Sequence, residues 1–191
     1  MPRTKEFEPQ AALDAAMELF WRRGYEATSL RELLDAMGIG RGSFYDTFGD
    51  KHDLFLAALD RFQEVRTFWV YEVLRETGLD GIQEVFRRTI DGLTEFEPRR
   101  GCLLANSAVE LAPYDPEVAR RISGYVGRTE AAFEEALIRA RDDGEIPADS
   151  DTKALARFLV TTLHGLRVLA RAGSDREALE DTVGVAMGSL R

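Results

Sequence analysis

Between Gly38 and Lys51 the chain reads GIGRGSFYDTFGDK, in which four glycines alternate with hydroxyl-bearing and aromatic side chains, and Arg41 and Lys51 sit at the flanks. These residue types suit the gripping of a polyanion rather than bond making. A guanidinium pairs bidentately with guanine, so Arg41 is the candidate for a base edge. The Tyr45 hydroxyl and the Lys51 ammonium suit phosphate oxygens, Lys51 with help from free amides and the dipole at a helix start. Bond-making chemistry finds no support elsewhere: the sequence offers no nucleophile–base pair, no cofactor fingerprint and no glycine-rich phosphate loop after a strand. With one cysteine and two histidines far apart, it offers no metal cluster either. No enzyme activity and no cofactor are expected.

The elements that must position these residues are helices. Apolar residues recur at spacings of three and four along nearly the whole chain, and alternating β-branched runs are missing, so the fold is expected to be all-α. A first helix is predicted over 9–23, with Ala12, Ala16, Leu19 and Phe20 on one face and Gly24 supplying a left-handed C-terminal turn. Thr28 and Ser29 can both cap a second helix ending near Met37, and Ser29 with Glu32 forms a capping-box pattern. Gly38 to Gly40 makes a tight turn, and a short helix follows from Arg41 to Phe48. Phe44 and Phe48, four apart, face inward, leaving Arg41, Ser43, Tyr45 and Thr47 free to turn outward. This is a helix-turn-helix layout, in which the second helix enters the major groove. One long helix is then predicted from Lys51 towards Glu76, with others near 79–96, 102–112, 115–143, 151–172 and 175–190.

Composition limits what such a unit can do. The net charge is −9, and the deficit is spread: residues 1–54 carry seven Lys plus Arg against ten Asp plus Glu, and the remainder 18 against 24. Indiscriminate coating of nucleic acid is excluded, so any DNA contact must be local. A length of 191 residues with 45% hydrophobic content suffices for a substantial core. Without an apolar run of about 18 residues or a signal-like N-terminus, no membrane partner is expected and the cytoplasm is the expected compartment. The acidic balance keeps open a rival reading, a helical protein-interaction adaptor whose helix-turn-helix is only structural.

Residues 23–59, RGYEATSLRELLDAMGIGRGSFYDTFGDKHDLFLAAL, resemble the DNA-binding domain of the tetracycline-repressor (TetR) family of bacterial transcription regulators. The G-Y-x-A-T-S, G-I-G-R-G-S-F-Y and F-x-x-K-x-x-L-F elements stand in the family's order. The resemblance implies an N-terminal three-helix helix-turn-helix domain over 1–54 and a larger helical domain over 55–191 for effector binding and dimerisation. It implies DNA contacts from Thr28, Ser29, Arg41, Gly42, Ser43, Tyr45, Thr47 and Lys51. It further implies a homodimeric, ligand-responsive repressor of a palindromic operator, with double-stranded DNA, a small effector and a second copy as partners. The chain departs from the family pattern at Thr47, at Asp46 and at Gly40, where a polar cap is usual.

In the second half, RRGCLLANSAVELAP, residues 99–113, also resembles a segment of one branch of that family. Helical spacing allows Asn106, Ser107 and Glu110 to line a cavity or to cross-link packed helices. Phe62, Trp69, Phe86, Phe96, Tyr125 and Phe133 are candidates for its walls or for plain core. His164 sits in an apolar helix, as ligand contact or as a hydrogen-bonded core residue. Cys102, preceded by Arg99 and Arg100, is either an electrophile sensor or a small buried apolar residue. Leu155, Phe158, Leu159, Leu163, Leu166, Leu179, Val183 and Met187 form broad apolar faces on the last two helices, read as core or as one half of a four-helix dimer bundle.

Overall fold

The computed structural model describes residues 7–96 and 100–191. These form ten α-helices: α1 (Pro9–Arg23), α2 (Leu30–Met37), α3 (Arg41–Phe48), α4 (Lys51–Phe62), α5 (Phe68–Leu74), α6 (Leu79–Asp91), α7 (Leu103–Glu110), α8 (Pro116–Asp142), α9 (Thr152–Ala172) and α10 (Arg176–Gly188). Among the described residues there is no strand. Local chemistry fixes most ends. Ser29 caps α2 through a complete capping box, its hydroxyl accepting from the Glu32 amide while Glu32 accepts from the Ser29 amide. Asp50, Asp115, Asp151 and Asp175 cap α4, α8, α9 and α10 through their carboxylates.

Gly38 ends α2 with φ 65° and ψ 29°. This is the left-handed region, which favours glycine. Gly24 also has positive φ, but with ψ at 173° it makes an extended exit from α1 rather than the expected left-handed turn.

The expected single helix from Lys51 to Glu76 is interrupted. A π-turn over Gln63–Thr67 separates α4 from α5, and another over Gly92–Phe96 follows α6. In each, a threonine hydroxyl bonds a carbonyl one turn back: Thr67 to Gln63 at 2.7 Å and Thr94 to Ile90 at 2.8 Å. A π-turn accommodates an extra residue without ending the helix, so apolar spacing alone does not reveal it.

The break coincides with a change of core. One buried cluster joins α1–α4 to α7 and the first half of α8, with Phe20, Leu33, Phe44, Phe55, Phe62 and Tyr125 at its centre. The other joins α5 and α6 to the rest of α8, α9 and α10 through Val70, Ile82, Phe86, Phe133, Leu159 and Leu163. The expected boundary between residues 54 and 55 falls inside α4, whose apolar face continues in the first cluster to Phe62.

Candidate nucleic-acid interface and effector cavity

The helix-turn-helix unit is built on Phe44, whose ring is fully buried. Its centroid lies 6.3 Å from that of Phe48 and 5.2 Å from that of Tyr45, the latter edge-on. Both neighbours belong to α3 itself; what pins α3 to the domain is the burial of Phe44 in the first core, with Phe48 packed against it. With that face down, Arg41, Gly42, Ser43 and Tyr45 are exposed and Thr47 is half-buried. Tyr45 is 51% exposed. Gly40 caps α3 without a side chain, and a Cβ at Gly40 or Gly42 would meet nothing within 4 Å. The N-terminal turn is therefore open to close approach. Ser29 stays at the surface, although its hydroxyl is engaged with Glu32. Asp46 is exposed on the same helix.

Two expectations at this face are corrected. Thr28 is fully buried and its hydroxyl donates to the Gly24 carbonyl at 2.6 Å, so it closes the α1–α2 connector instead of presenting a DNA contact. With Ser29 as the cap, the preceding position turns inward. At the start of α4 the expected free amides are taken: Asp50 accepts from His52 at 2.7 Å and Asp53 at 2.9 Å. Lys51 itself lies over the Tyr25 ring, 4.1 Å from its centroid. This is a cation–π contact, and only the charge of Lys51 remains for a phosphate.

Asp50, His52 and Asp53 place ligand atoms within 4.8 Å of one another. However, Asp50 is the cap of α4, and His52 Nε2 lies 2.6 Å from Asp115, so two of the three are already committed.

Behind this unit lies a cavity of about 620 Å³. That is large enough for a small organic molecule. Trp21 of α1 and Phe62 of α4 form its wall towards the helix-turn-helix. Arg66 and Thr67 come from the first π-turn, Gly92 and Leu93 from the second, and Trp69, Arg88, Thr89 and Asp91 from α5 and α6. Gly101, Cys102 and Arg167 complete it. Most of its charges are neutralised locally. Arg66 pairs with Glu18 at 2.9 Å, and Arg88 lies over the Trp69 ring while paired with Glu84 at 2.6 Å. Asp91 accepts from Arg87 and Arg176 at 2.8 and 2.7 Å.

Three groups tie this region to the helix-turn-helix. Trp21 donates to the Gly101 carbonyl at 3.2 Å, Arg100 stacks 3.7 Å above the Trp21 ring, and Glu110 accepts from the Tyr25 and Glu26 amides at 3.2 and 2.9 Å.

Comparison with known proteins decides the family. Residues 12–58 match the model for bacterial regulatory proteins of the tetR family, and residues 78–185 match the tetracyclin repressor-like C-terminal domain. The HTH-type transcriptional regulator YezE of Bacillus subtilis is 39% identical over the full length of both chains. The HTH-type transcriptional repressor ComR of Escherichia coli is 31% identical over 97% of this chain and 90% of its own. The chain belongs to the TetR family. It is a DNA-binding transcriptional regulator, not an enzyme. A cysteine mutant of the TetR regulator CifR, solved with 26-bp double-strand operator DNA, is similar over 99% of this chain and 100% of its own, with 34% identity and a TM-score of 0.89.

Within this TetR fold, Phe62, Trp69 and Cys102 line the cavity, and among the residues whose side chains are described the other expected pocket residues do not. Phe86 is fully buried in the second core, 6.1 Å from Phe133. Asn106 donates to the Arg100 carbonyl at 3.4 Å and Ser107 to Leu103 at 2.8 Å. Glu110 faces the α1–α2 connector. Tyr125 is buried edge-on to His164, with centroids 6.3 Å apart, outside the cavity. Burial first, and then the Arg167 charge, hold His164 down at about 4. Cys102 is buried at the cap position of α7; the side chain of Phe96 and all of Arg99 lie outside the described residues.

Sequence reasoning missed Trp21, Thr89 and Arg167. Arg167 left a trace: it falls on the same buried stripe as Leu163, Leu166 and Ala170, where a charge is out of place.

The outer helices also sort their apolar residues. Leu159, Leu163, Leu166 and Leu179 are buried in the chain's own core, a correction to their expected place at a dimer surface. Leu155, Val183 and Met187 are half-buried, while Phe158, Val168, Leu169 and Val185 are 42%, 53%, 47% and 74% exposed. Among the described residues no helix is long and apolar enough to cross a membrane.

Proposed function

We propose that this TetR-family protein is a homodimeric cytoplasmic repressor that holds a palindromic operator until a small effector enters the cavity. The observation that carries the reading is the shared wall: Trp21 and Phe62 belong to the core that supports α3, and they also line the cavity. An occupant pressing on them acts directly on the DNA-facing helices. The relative ComR is named a repressor and CifR was solved on its operator, which supports the direction of control.

A second copy docked through Phe158, Val168, Leu169 and Val185 builds a bundle from α9 and α10 of both chains, and places two α3 helices to read half-sites about 34 Å apart. Effector and operator then weaken each other's binding by the same factor, roughly 5- to 150-fold for a coupling of about 1 to 3 kcal/mol.

Footprinting of the purified protein on the promoter of its own gene and its neighbours tests the reading. A protected palindrome is expected. On that site Arg41→Ala loses about 1 to 3 kcal/mol with relaxed sequence preference. Lys51→Met weakens all sequences alike and lowers the salt slope by about 0.9 per phosphate contact removed. Unchanged binding in both variants would refute α3 as the reading helix.

A further inference from the structure

Two polar atoms in the cavity wall have no partner. Arg167 is 7% exposed, yet its Nη1 makes no hydrogen bond, and the Thr89 hydroxyl, on a residue 6% exposed, makes none either. They come from different helices, α9 and α6, and both line the same space. A guanidinium stays protonated at any physiological pH, so Arg167 presents a permanent buried charge. Burying an unpaired polar group is costly, and for an ion the cost is far larger.

The other groups around the cavity do not supply the counterion. Asp91 is occupied by Arg87 and Arg176, and the remaining charged lining residues, Arg66 and Arg88, are themselves cations. The Tyr125 phenol accepts a hydrogen bond from the guanidinium, leaving Nη1 as the unpartnered atom, but burial pushes the phenol's pKa up, so it supplies no negative charge near pH 7. His164, which faces Tyr125 on the same helix as Arg167, is also neutral there. Cys102 also lines the cavity near the guanidinium, and the Thr67 hydroxyl is spent on the Gln63 carbonyl. Beyond the glycine backbone, the remaining wall is aromatic and apolar: Trp21, Phe62, Trp69 and Leu93.

Taking this cavity as the effector site proposed above, we infer that it receives an organic acid, with a carboxylate on Arg167 and Thr89 and an apolar or aromatic body against Trp21, Phe62 and Trp69. A carboxylate accepts the Arg167 N–H in a charge-assisted bond and also accepts from the Thr89 hydroxyl, which satisfies both orphaned donors at once. The uncharged amide of the same acid can accept these bonds but cannot neutralise the guanidinium. Selectivity for acid over amide is therefore the property that identifies the site.

Trp21 and Trp69 are the chain's two tryptophans and both line the cavity, so intrinsic fluorescence reports occupancy. The full-length protein is titrated at pH 7.5 with 4-phenylbutyrate and octanoate, each beside its primary amide. The acids are expected to bind at least about tenfold tighter than the amides, the factor given by a charge-assisted bond of about 1.5 kcal/mol. Arg167→Met should abolish that preference, Arg167→Lys should keep part of it, and Thr89→Val should weaken acid binding severalfold.

Equal binding of acid and amide, no binding of either, or a preference that survives in Arg167→Met would overturn the inference. If Arg167→Met does not fold, a reduced but real acid preference in Arg167→Lys together with severalfold weaker acid binding in Thr89→Val decides in favour. An unchanged preference in Arg167→Lys with unchanged acid binding in Thr89→Val decides against. Affinity for the footprinted promoter DNA, measured in the same samples, separates the two levels. Intact DNA binding without acid preference removes the acid site alone. Acid preference without any change in DNA affinity removes the effector reading alone.

Discussion

Arg41 and Lys51, the two cations proposed to meet DNA, are held by opposite means. Arg41 is exposed at the open end of α3, whereas Lys51 is preset by the Tyr25 ring beneath it. His164 illustrates how burial sets chemistry. Its imidazole is held neutral, with a pKa lowered to about 4 by desolvation and then by Arg167. A lowered histidine binds its proton more readily in the unfolded chain, so its contribution to stability is complete above about pH 6.5 and is lost as pH falls towards 4. At pH 5 the loss is about 2 kcal/mol. In unfolding measurements between pH 7.5 and 5, the parent protein should therefore lose more stability than His164→Leu by about that amount, because the variant lacks this proton uptake. Parallel curves would show that His164 is solvated.

At the scale of elements, the capping box of α2 sets the entry to the helix-turn-helix. Ser29 holds Glu32 at about 2, first through the Ser29 amide and then through its hydroxyl, with Arg23 adding to both. A depressed carboxylate contributes stability above its unfolded pKa of about 4.5, and that contribution disappears as pH falls towards 2. Ser29→Ala should cost about 1 kcal/mol in chemical denaturation and move the Glu32 titration, followed by NMR, back towards the ordinary carboxylate range. A Glu32 titration unchanged in that variant would assign the effect to the Ser29 amide and Arg23 rather than to the hydroxyl.

The two π-turns belong to the same scale. Each interrupts a helix where the cavity forms, contributing Arg66 and Thr67 on one side and Gly92 and Leu93 on the other. Apolar periodicity predicted continuous helices there because a π-turn conserves the amphipathic face on both sides of the inserted residue.

At the scale of the molecule, two cores meet along α4, α5 and α8, and the cavity opens where they adjoin. Polar ties cross the same region: Glu110 to the connector amides, His52 to Asp115 at 2.6 Å, and Arg61 to Asp14 at 2.6 Å. The first two join the α1–α2 connector and α4 to α7 and the cap of α8, and the third joins α4 to α1. The exposed apolar residues of α9 and α10 lie away from both cores. Phe158→Glu together with Val185→Glu should halve the mass seen in sedimentation and lower operator affinity by at least about tenfold, because a lone half-site loses the linked second contact. A double variant that stays dimeric would place the interface elsewhere.

The helices, their caps and the helix-turn-helix could be read in the sequence because the forces that set them act over a few residues. Ser29 and Glu32 meet within one turn, Gly38 answers a local backbone demand, and Phe44 and Phe48 share a face by spacing alone. Where the inward face had a competing claim, the sequence was silent: Thr28 could as well have faced DNA, and Leu159 a partner. Only the tertiary structure decided which apolar stripe is enclosed, and which residues from α1, α6 and α9 converge on one cavity. Neither the cavity nor the orphaned donors of Arg167 and Thr89 leave a local pattern, since each exists only when residues far apart in the chain are packed together.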